Sequence, residues 1–463
     1  MTSAVINSIG RKLVVTVACL LLAACAAQPE LNNPPDGTPA ETLQDQGAAE
    51  QSARLDREKA ITAYRDYLAR YPDSPEFDRI TRRLADLLVE QAADLQLEAA
   101  TALDDSRPLK AAAMEAYAEA IDRYEYLLNK YPDGPDKTDL LYQLSRAYDE
   151  SGKSQQALGS IERLLAQEPA GNTRLYADTR FRQGEILFGE ASYLEAGQCY
   201  QAVVDLGASV PAYEQSLYKL GWSLFKQGRY TDALPVLFAF LDLKIAADET
   251  LDAQLARLSP ADREQLADVF RVINMSLAQL DGVDSLGRFF RETGRRSYEE
   301  QVYLGLADFY AEQDQVSEAA RTWLVLAQRD PLDPEAPRLI ARAISLYRQA
   351  GFRERMLETQ TLFVQDYGMG SDFWTVHSPG NFPDVLQVLQ SSLRELAQAS
   401  HEQARQTQAA HEVRAAEHWY REYLATFGDE AAAAEMNYQL ADLLYESGQY
   451  RQAIDEYERT AWS

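Results

Sequence analysis

Cysteine is almost missing from this chain of 463 residues, which holds Cys19, Cys25 and Cys199 and no others. Three such scattered thiols cannot build a disulfide framework. Histidine is equally scarce, at four residues. His401-Glu402 and His411-Glu412 each begin like the H-E-x-x-H zinc signature, but Arg405 and Ala415 occupy the places where a second histidine must share the helix face. No metal is expected, and both histidines are expected on solvated helix faces. Glycine (23) and proline (18) are sparse while Ala, Leu, Glu, Gln and Arg abound, a balance that favours helix over strand. Cations are outnumbered, 45 Lys and Arg against 72 Asp and Glu, for a formal charge of −27. Such a surface repels phosphate backbones and anionic lipid, so nucleic acid is excluded and a basic protein segment is the better partner. Long apolar runs are lacking too. Only Leu13–Cys25 is continuous, and nothing else approaches the roughly 18–20 apolar residues of a membrane span.

That one run follows Arg11-Lys12 and is too short to anchor as a span, which makes residues 1–24 read as a signal peptide. Its end, Leu22-Ala23-Ala24-Cys25, resembles the lipobox of bacterial lipoproteins. The resemblance implies cleavage before Cys25, lipid on its thiol, and, with Ala26 and no Asp after it, the periplasmic face of the outer membrane. Cys199 would then be the only free thiol, packed as a small hydrophobe. Residues 25–52, rich in Pro, Asn, Gly and acid without apolar period, are expected to be a disordered tether.

Beyond the tether one pattern recurs: Ala, a large apolar residue four on, another seven on, and often Pro at twelve. It is seen in Ala60-Tyr64-Tyr67-Pro72, Ala120-Tyr124-Leu127-Pro132, Ala157-Ile161-Leu164-Pro169 and Ala196-Tyr200-Val203. It returns in Ala233-Leu237-Phe240, Ala319-Trp323-Leu326-Pro331, Ala416-Tyr420-Tyr423 and Ala453-Tyr457. Offsets of four and seven make one helical stripe, and the small head lets a second helix approach. That second helix precedes each head, as in Leu141-Leu144-Ser145-Tyr148 before Gly152, or Leu217-Leu220-Gly221-Leu224 before Gly228.

Two antiparallel helices with a small-residue crossing and a Gly turn closely resemble the tetratricopeptide-repeat (TPR) family. Links such as Arg70-Tyr71-Pro72-Asp73-Ser74-Pro75 are similar to those of envelope TPR lipoproteins, including the TPR component of the β-barrel assembly machinery, and to those of the periplasmic TPR partner of the Tol system. The fold class implied is an all-α TPR-type helical-hairpin solenoid, in two arrays joined by a degenerate hinge. The first array spans 53–240 with a long-helix arm at 76–119, a degenerate connector covers 241–297, and a second array spans 298–463. The last helix keeps Ile454, Tyr457 and Trp462 with nothing after them, so the array is expected to lack a polar cap at this end.

Chemistry is hard to find. Gly152-Lys153-Ser154 mimics the end of a phosphate loop, but Ala147 replaces the upstream glycine and the segment is a repeat turn. No catalytic residue, cofactor or metal ligand is assigned. The resemblance places partner binding on the concave face lined by the first helix of each unit. The candidates there are Tyr142, Phe181, Phe188, Tyr218, Trp222, Phe225, Tyr438 and Tyr445, an aromatic ladder edged with acids such as Glu185 and Asp442. Tyr142, Tyr218 and Tyr438 stand where carboxylate-clamping TPRs carry lysine, which disfavours that partner class. The expectation is a non-catalytic, lipid-anchored scaffold for envelope proteins. The alternative is the TPR superhelix of a cell-wall enzyme, or an accessory subunit of a lytic transglycosylase-type activity.

Overall fold

The computed structural model describes residues 40–102, 106–167, 172–246, 251–429 and 432–462. The signal peptide, Cys25 and the first part of the expected tether lie outside the described residues. Within them the chain forms twenty-one α-helices and one 3-10 turn, and no strand. They fall into two compact units that divide between Gln227 and Gly228.

The first unit holds α1 (Ala40–Arg70), α2 (Phe77–Thr101), α3 (Arg107–Lys130), α4 (Lys137–Glu150), α5 (Ser154–Leu165), α6 (Thr173–Gly189), α7 (Tyr193–Val204) and α8 (Tyr213–Lys226). Helix α1 starts at Ala40, so thirteen residues of the segment expected to be a tether, 40–52, are helical. The expected long-helix arm at 76–119 holds α2 and the first half of α3, which pack on each other as a hairpin. Lys130 meets Asp78 (2.8 Å), Tyr124 meets Asp86 (2.8 Å) and Tyr117 meets Gln96 (3.1 Å), an antiparallel register of α2 on α3. Apolar residues on both helices, Leu84 and Leu88 against Tyr117 and Tyr124, are buried between them, and burying them outweighs any reason for the pair to stand apart.

The second unit holds α9 (Tyr230–Lys244), α10 (Leu251–Leu255), α11 (Pro260–Ala278), α12 (Val283–Thr293), α13 (Glu299–Glu312), α14 (Val316–Arg329) and α15 (Ala336–Ala350). It continues through α16 (Arg353–Tyr367), α17 (Phe373–Val376), α18 (Pro383–Thr407), α19 (Ala410–Phe427), α20 (Ala433–Glu446) and α21 (Tyr450–Trp462). The described residues of 241–297, expected to be degenerate helix pairs or a hinge, belong to this unit. Phe238 stacks on Phe289 at 4.2 Å and meets Phe290 edge-on at 5.5 Å, with Tyr298 6.3 Å away. These rings supply the packing that the missing Ala-aromatic head supplies elsewhere.

The repeat heads lie where the spacing puts them. Ala120, Ala157, Ala196, Ala233, Ala319 and Ala416 are wholly buried and Ala453 nearly so. The first repeat is rotated: Ile61 and Leu68 are buried, while Ala60, Tyr64 and Tyr67 are half-buried. Hairpin turns close alike in both units. After α4, Lys153 N–H donates to Tyr148 O (2.8 Å) and Gly152 N–H to Asp149 O (2.8 Å), with Gly152 at φ +74°. After α20, Gln449 donates to Leu444 O (2.8 Å) and Gly448 to Tyr445 O (3.1 Å), with Gly448 at φ +79°. This left-handed stop satisfies the last carbonyls, and only glycine enters it without strain.

Candidate functional site

The expected aromatic ladder is divided between the units, with Tyr142, Phe181, Phe188, Tyr218, Trp222 and Phe225 in the first and Tyr438 and Tyr445 in the second. In the first unit all six rings are half-buried. Tyr142 packs on the core formed by α1–α6. Phe181 packs on Ala177, Val203 and Val210, with its ring 5.8 Å from Tyr200. Phe188 lies between Tyr193 (5.2 Å) and the Lys219 ammonium, 5.2 Å over its face. Trp222 meets Phe225 edge-on at 5.8 Å, with Lys226 above it. Phe188 therefore touches the next repeat through Lys219, while Phe181 packs within its own hairpin and on the link at Val210.

The acids of that ladder are also engaged. Tyr200 donates to Glu185 at 2.5 Å, and Lys219 donates to the other carboxylate oxygen at 2.8 Å. In the second unit Tyr457 donates to Asp442, also at 2.5 Å. Both pairs join residues fifteen apart, from the first helix of a hairpin to the tyrosine four places after the alanine head. Burial, reinforced by Glu185, pushes the Tyr200 phenol far above its usual range, so the hydroxyl stays a donor. Along the same face Arg182 reaches back to Asp149 (3.0 Å), so α4, α6 and α8 are laced by charges one repeat apart. The common offset was visible in the sequence and not read there.

Tyr438 and Tyr445 differ. Both are exposed, at 51% and 58%, as are Tyr450 (59%) and Ile454 (56%) on the facing helix. Tyr438 meets Tyr457 at 5.6 Å and Tyr445 meets Tyr450 at 5.4 Å, leaving an aromatic surface across α20 and α21.

His401 departs from expectation. It is 6% exposed, not solvated: Nδ1 lies 3.0 Å from the Tyr420 hydroxyl and Nε2 lies 3.4 Å from Glu446, which Arg405 also grips at 2.6 Å. The leucines and alanines around α18 bury this face, and the hydrogen bonds make the ring tolerable there. Burial, above all, holds its pKa below the usual value. His411 and His418 remain exposed. Cys199 is buried as expected, its thiol raised by burial and 3.3 Å from Gln183 Oε1. It borders a cavity of about 450 Å³ between α5, α6 and α7 that the sequence did not reveal. Among the described residues no group of three or more His, Cys, Asp or Glu could hold a metal, and no helix is long and apolar enough to cross a membrane.

Two segments, residues 46–74 and 215–237, match the tetratricopeptide repeat family. No curated protein matches the chain in sequence. Among solved structures it is similar to a tetratricopeptide repeat protein from Parabacteroides merdae, at 15% identity over 66% of this chain and 98% of that one, with TM-score 0.30. The C-terminal part of a TPR repeat-containing protein from Cytophaga hutchinsonii gives 14% identity over 77% and 98%, with TM-score 0.29. The yeast Sti1 TPR2AB domain, solved in complex with pHSP90, gives 13% over 67% and 98%, with TM-score 0.24. Segments 46–74 and 215–237 thus match the tetratricopeptide repeat family, and the fold class is an all-α, TPR-type helical-hairpin solenoid.

Proposed function

We propose that this protein is a non-catalytic scaffold that binds segments of other envelope proteins, held at the periplasmic face of the outer membrane through lipidated Cys25. The observation that carries the binding reading is the aromatic surface of α20 and α21, where Tyr438, Tyr445, Tyr450 and Ile454 are each more than half exposed. Rigid two-torsion rings on a rigid hairpin give large contact area at little entropic cost, which is how protein interfaces gain their anchors. The net charge of −27 favours partners with basic segments. The anchoring part of the reading rests on Arg11-Lys12, the apolar run and Leu22-Ala23-Ala24-Cys25.

A photoreactive phenylalanine analogue placed at Tyr445 in cells tests the binding surface. The expected result is a discrete adduct with one envelope protein, lost when Tyr438 and Tyr450 are replaced by alanine. Adducts no stronger than from exposed Glu354 would overturn it. Cys25→Ser tests the anchor: labelled palmitate should no longer be incorporated and the protein should leave the membrane fraction. Normal labelling and partitioning of Cys25→Ser would refute the anchor assignment.

A further inference from the structure

The 450 Å³ cavity lies on a different face from the expected ladder. Its floor is α6, through Arg180, Gln183 and Leu187, whereas the ladder residues Phe181, Glu185 and Phe188 occupy the other side of the same helix. One rim is Leu158 and Glu162, a single turn apart on α5. The other is Glu195, Gln198, Cys199 and Ala202 on α7, spaced as one helical stripe. The volume falls within the range of about 300–1,000 Å³ that binding clefts show.

Its electrostatics are ordered. Arg180 is tied down in the floor: it donates to the Tyr176 hydroxyl and to Gln183 Oε1, both at 3.1 Å, and its guanidinium lies 5.3 Å from the Tyr176 ring. Glu162 and Glu195 are exposed on opposite rims, and among the described residues neither enters an ion pair or a side-chain hydrogen bond. Most carboxylates on the neighbouring first helices are engaged, as Asp149 and Glu185 are. Leu194, one turn before Gln198, is 52% exposed. The cleft therefore offers apolar walls between two free acids.

We infer that this cleft receives an amphipathic helix of a partner protein, with aliphatic side chains entering between Leu158, Leu187 and Ala202 and Lys or Arg side chains reaching Glu162 and Glu195. A third helix fits the groove between two others by ordinary ridge packing. The fixed cation at Arg180 keeps basic groups out of the floor and directs them to the rims. This inference deepens the scaffold reading and rests on it, but uses a surface separate from α20 and α21.

The test uses the full-length protein and two fluorescent synthetic helices, one of leucine and lysine and one of leucine and glutamate with the same apolar face, read by anisotropy. The leucine-lysine helix should bind, and more weakly as salt rises. Ala202→Trp, which fills the cleft, should weaken it at least tenfold. Glu162→Lys with Glu195→Lys should do the same and admit the leucine-glutamate helix, while Glu354→Lys with Asp455→Lys, an equal charge change elsewhere, should alter affinity less than twofold. Circular dichroism confirms folding, and the charge pair, being exposed, keeps the question answerable if Ala202→Trp fails to fold. Equal loss in both charge-reversed pairs, or undiminished binding to the Glu162/Glu195 pair, overturns the inference. So does absence of binding by the leucine-lysine helix. The Tyr445 adduct is unaffected by any of these results, so failure here is separate from failure of the scaffold reading.

Discussion

One substitution made at two glycines separates local propensity from packing. Gly184, inside α6, is where an added Cβ would stand 2.6 Å from the Tyr200 ring, and that ring is wholly buried and held by Glu185. Gly159, inside α5, has nothing within 4 Å of the same position. Propensity alone favours alanine by about 1 kcal/mol at both. Gly159→Ala should therefore stabilise by roughly 0.5–1 kcal/mol, whereas Gly184→Ala should destabilise by about 1–3 kcal/mol because the ring cannot yield. Urea denaturation of both variants checks the opposite signs. His401 gives the second prediction at this scale. It faces Tyr420 from α19 (itself bonded to Gln439), Glu446 and Asp442 from α20, and Arg405 on its own helix. Its folded pKa lies below the ordinary imidazole value of about 6.5, so the unfolded chain takes up the proton first. Its contribution is complete above pH 6.5 and is lost as pH falls through 6.5 towards the depressed folded value. The urea midpoint should thus drop more between pH 7 and pH 5 in the wild type than in His401→Gln, and parallel profiles would refute it.

At the scale of the element, the hairpins are closed by an apolar stripe, and those headed by Ala120, Ala196 and Ala453 also by a phenol that crosses to the partner helix. Tyr124 is the clearest case: it is 0% exposed and donates to Asp86 at 2.8 Å. Tyr124→Phe keeps the stripe and removes only the hydroxyl. The loss should be about 1–2 kcal/mol, the cost of a hydrogen bond to a charged acceptor moderated by water reaching Asp86. Tyr64→Phe, in the half-buried stripe of α1, should change stability by less than 0.5 kcal/mol. Chemical denaturation distinguishes the two. Such hairpins were legible because an alanine head and residues four and seven later report a helix face directly, and Ala120, Ala196 and Ala416 lie buried as their spacing requires. The partners were not legible. Glu185 reads as a free acid until Tyr200 and Lys219 are brought to it, fifteen and thirty-four residues away. His401 reads as solvated because its own helix is polar around it, and only α19 and α20 bury it. The cleft beside Cys199 is a space between three helices, and no single helix encodes it.

At the scale of the molecule, the cores are local. Leu84, Tyr117, Tyr124 and Leu144 belong to one cluster in the first unit, and Ile340, Phe363, Leu393 and Tyr420 to another in the second. Where each hairpin packs mainly on its sequence neighbours, stability is a sum of repeat and interface terms, and a defect spreads only as far as its interfaces carry it. Gly184→Ala strikes the contact between α6 and α7, so it should lower hydrogen-exchange protection first in residues 173–204. Helices α4 and α8 should follow more weakly, because Asp149 on α4 and Lys219 on α8 are tied to α6 through Arg182 and Glu185. Residues 336–427 should keep their wild-type protection at the same denaturant concentration. Mass-spectrometric exchange resolves all three regions in one experiment. A uniform loss of protection along the chain would mean that the described helices unfold as one cooperative body, and the repeat picture of its energetics would fail even though the repeat picture of its fold holds.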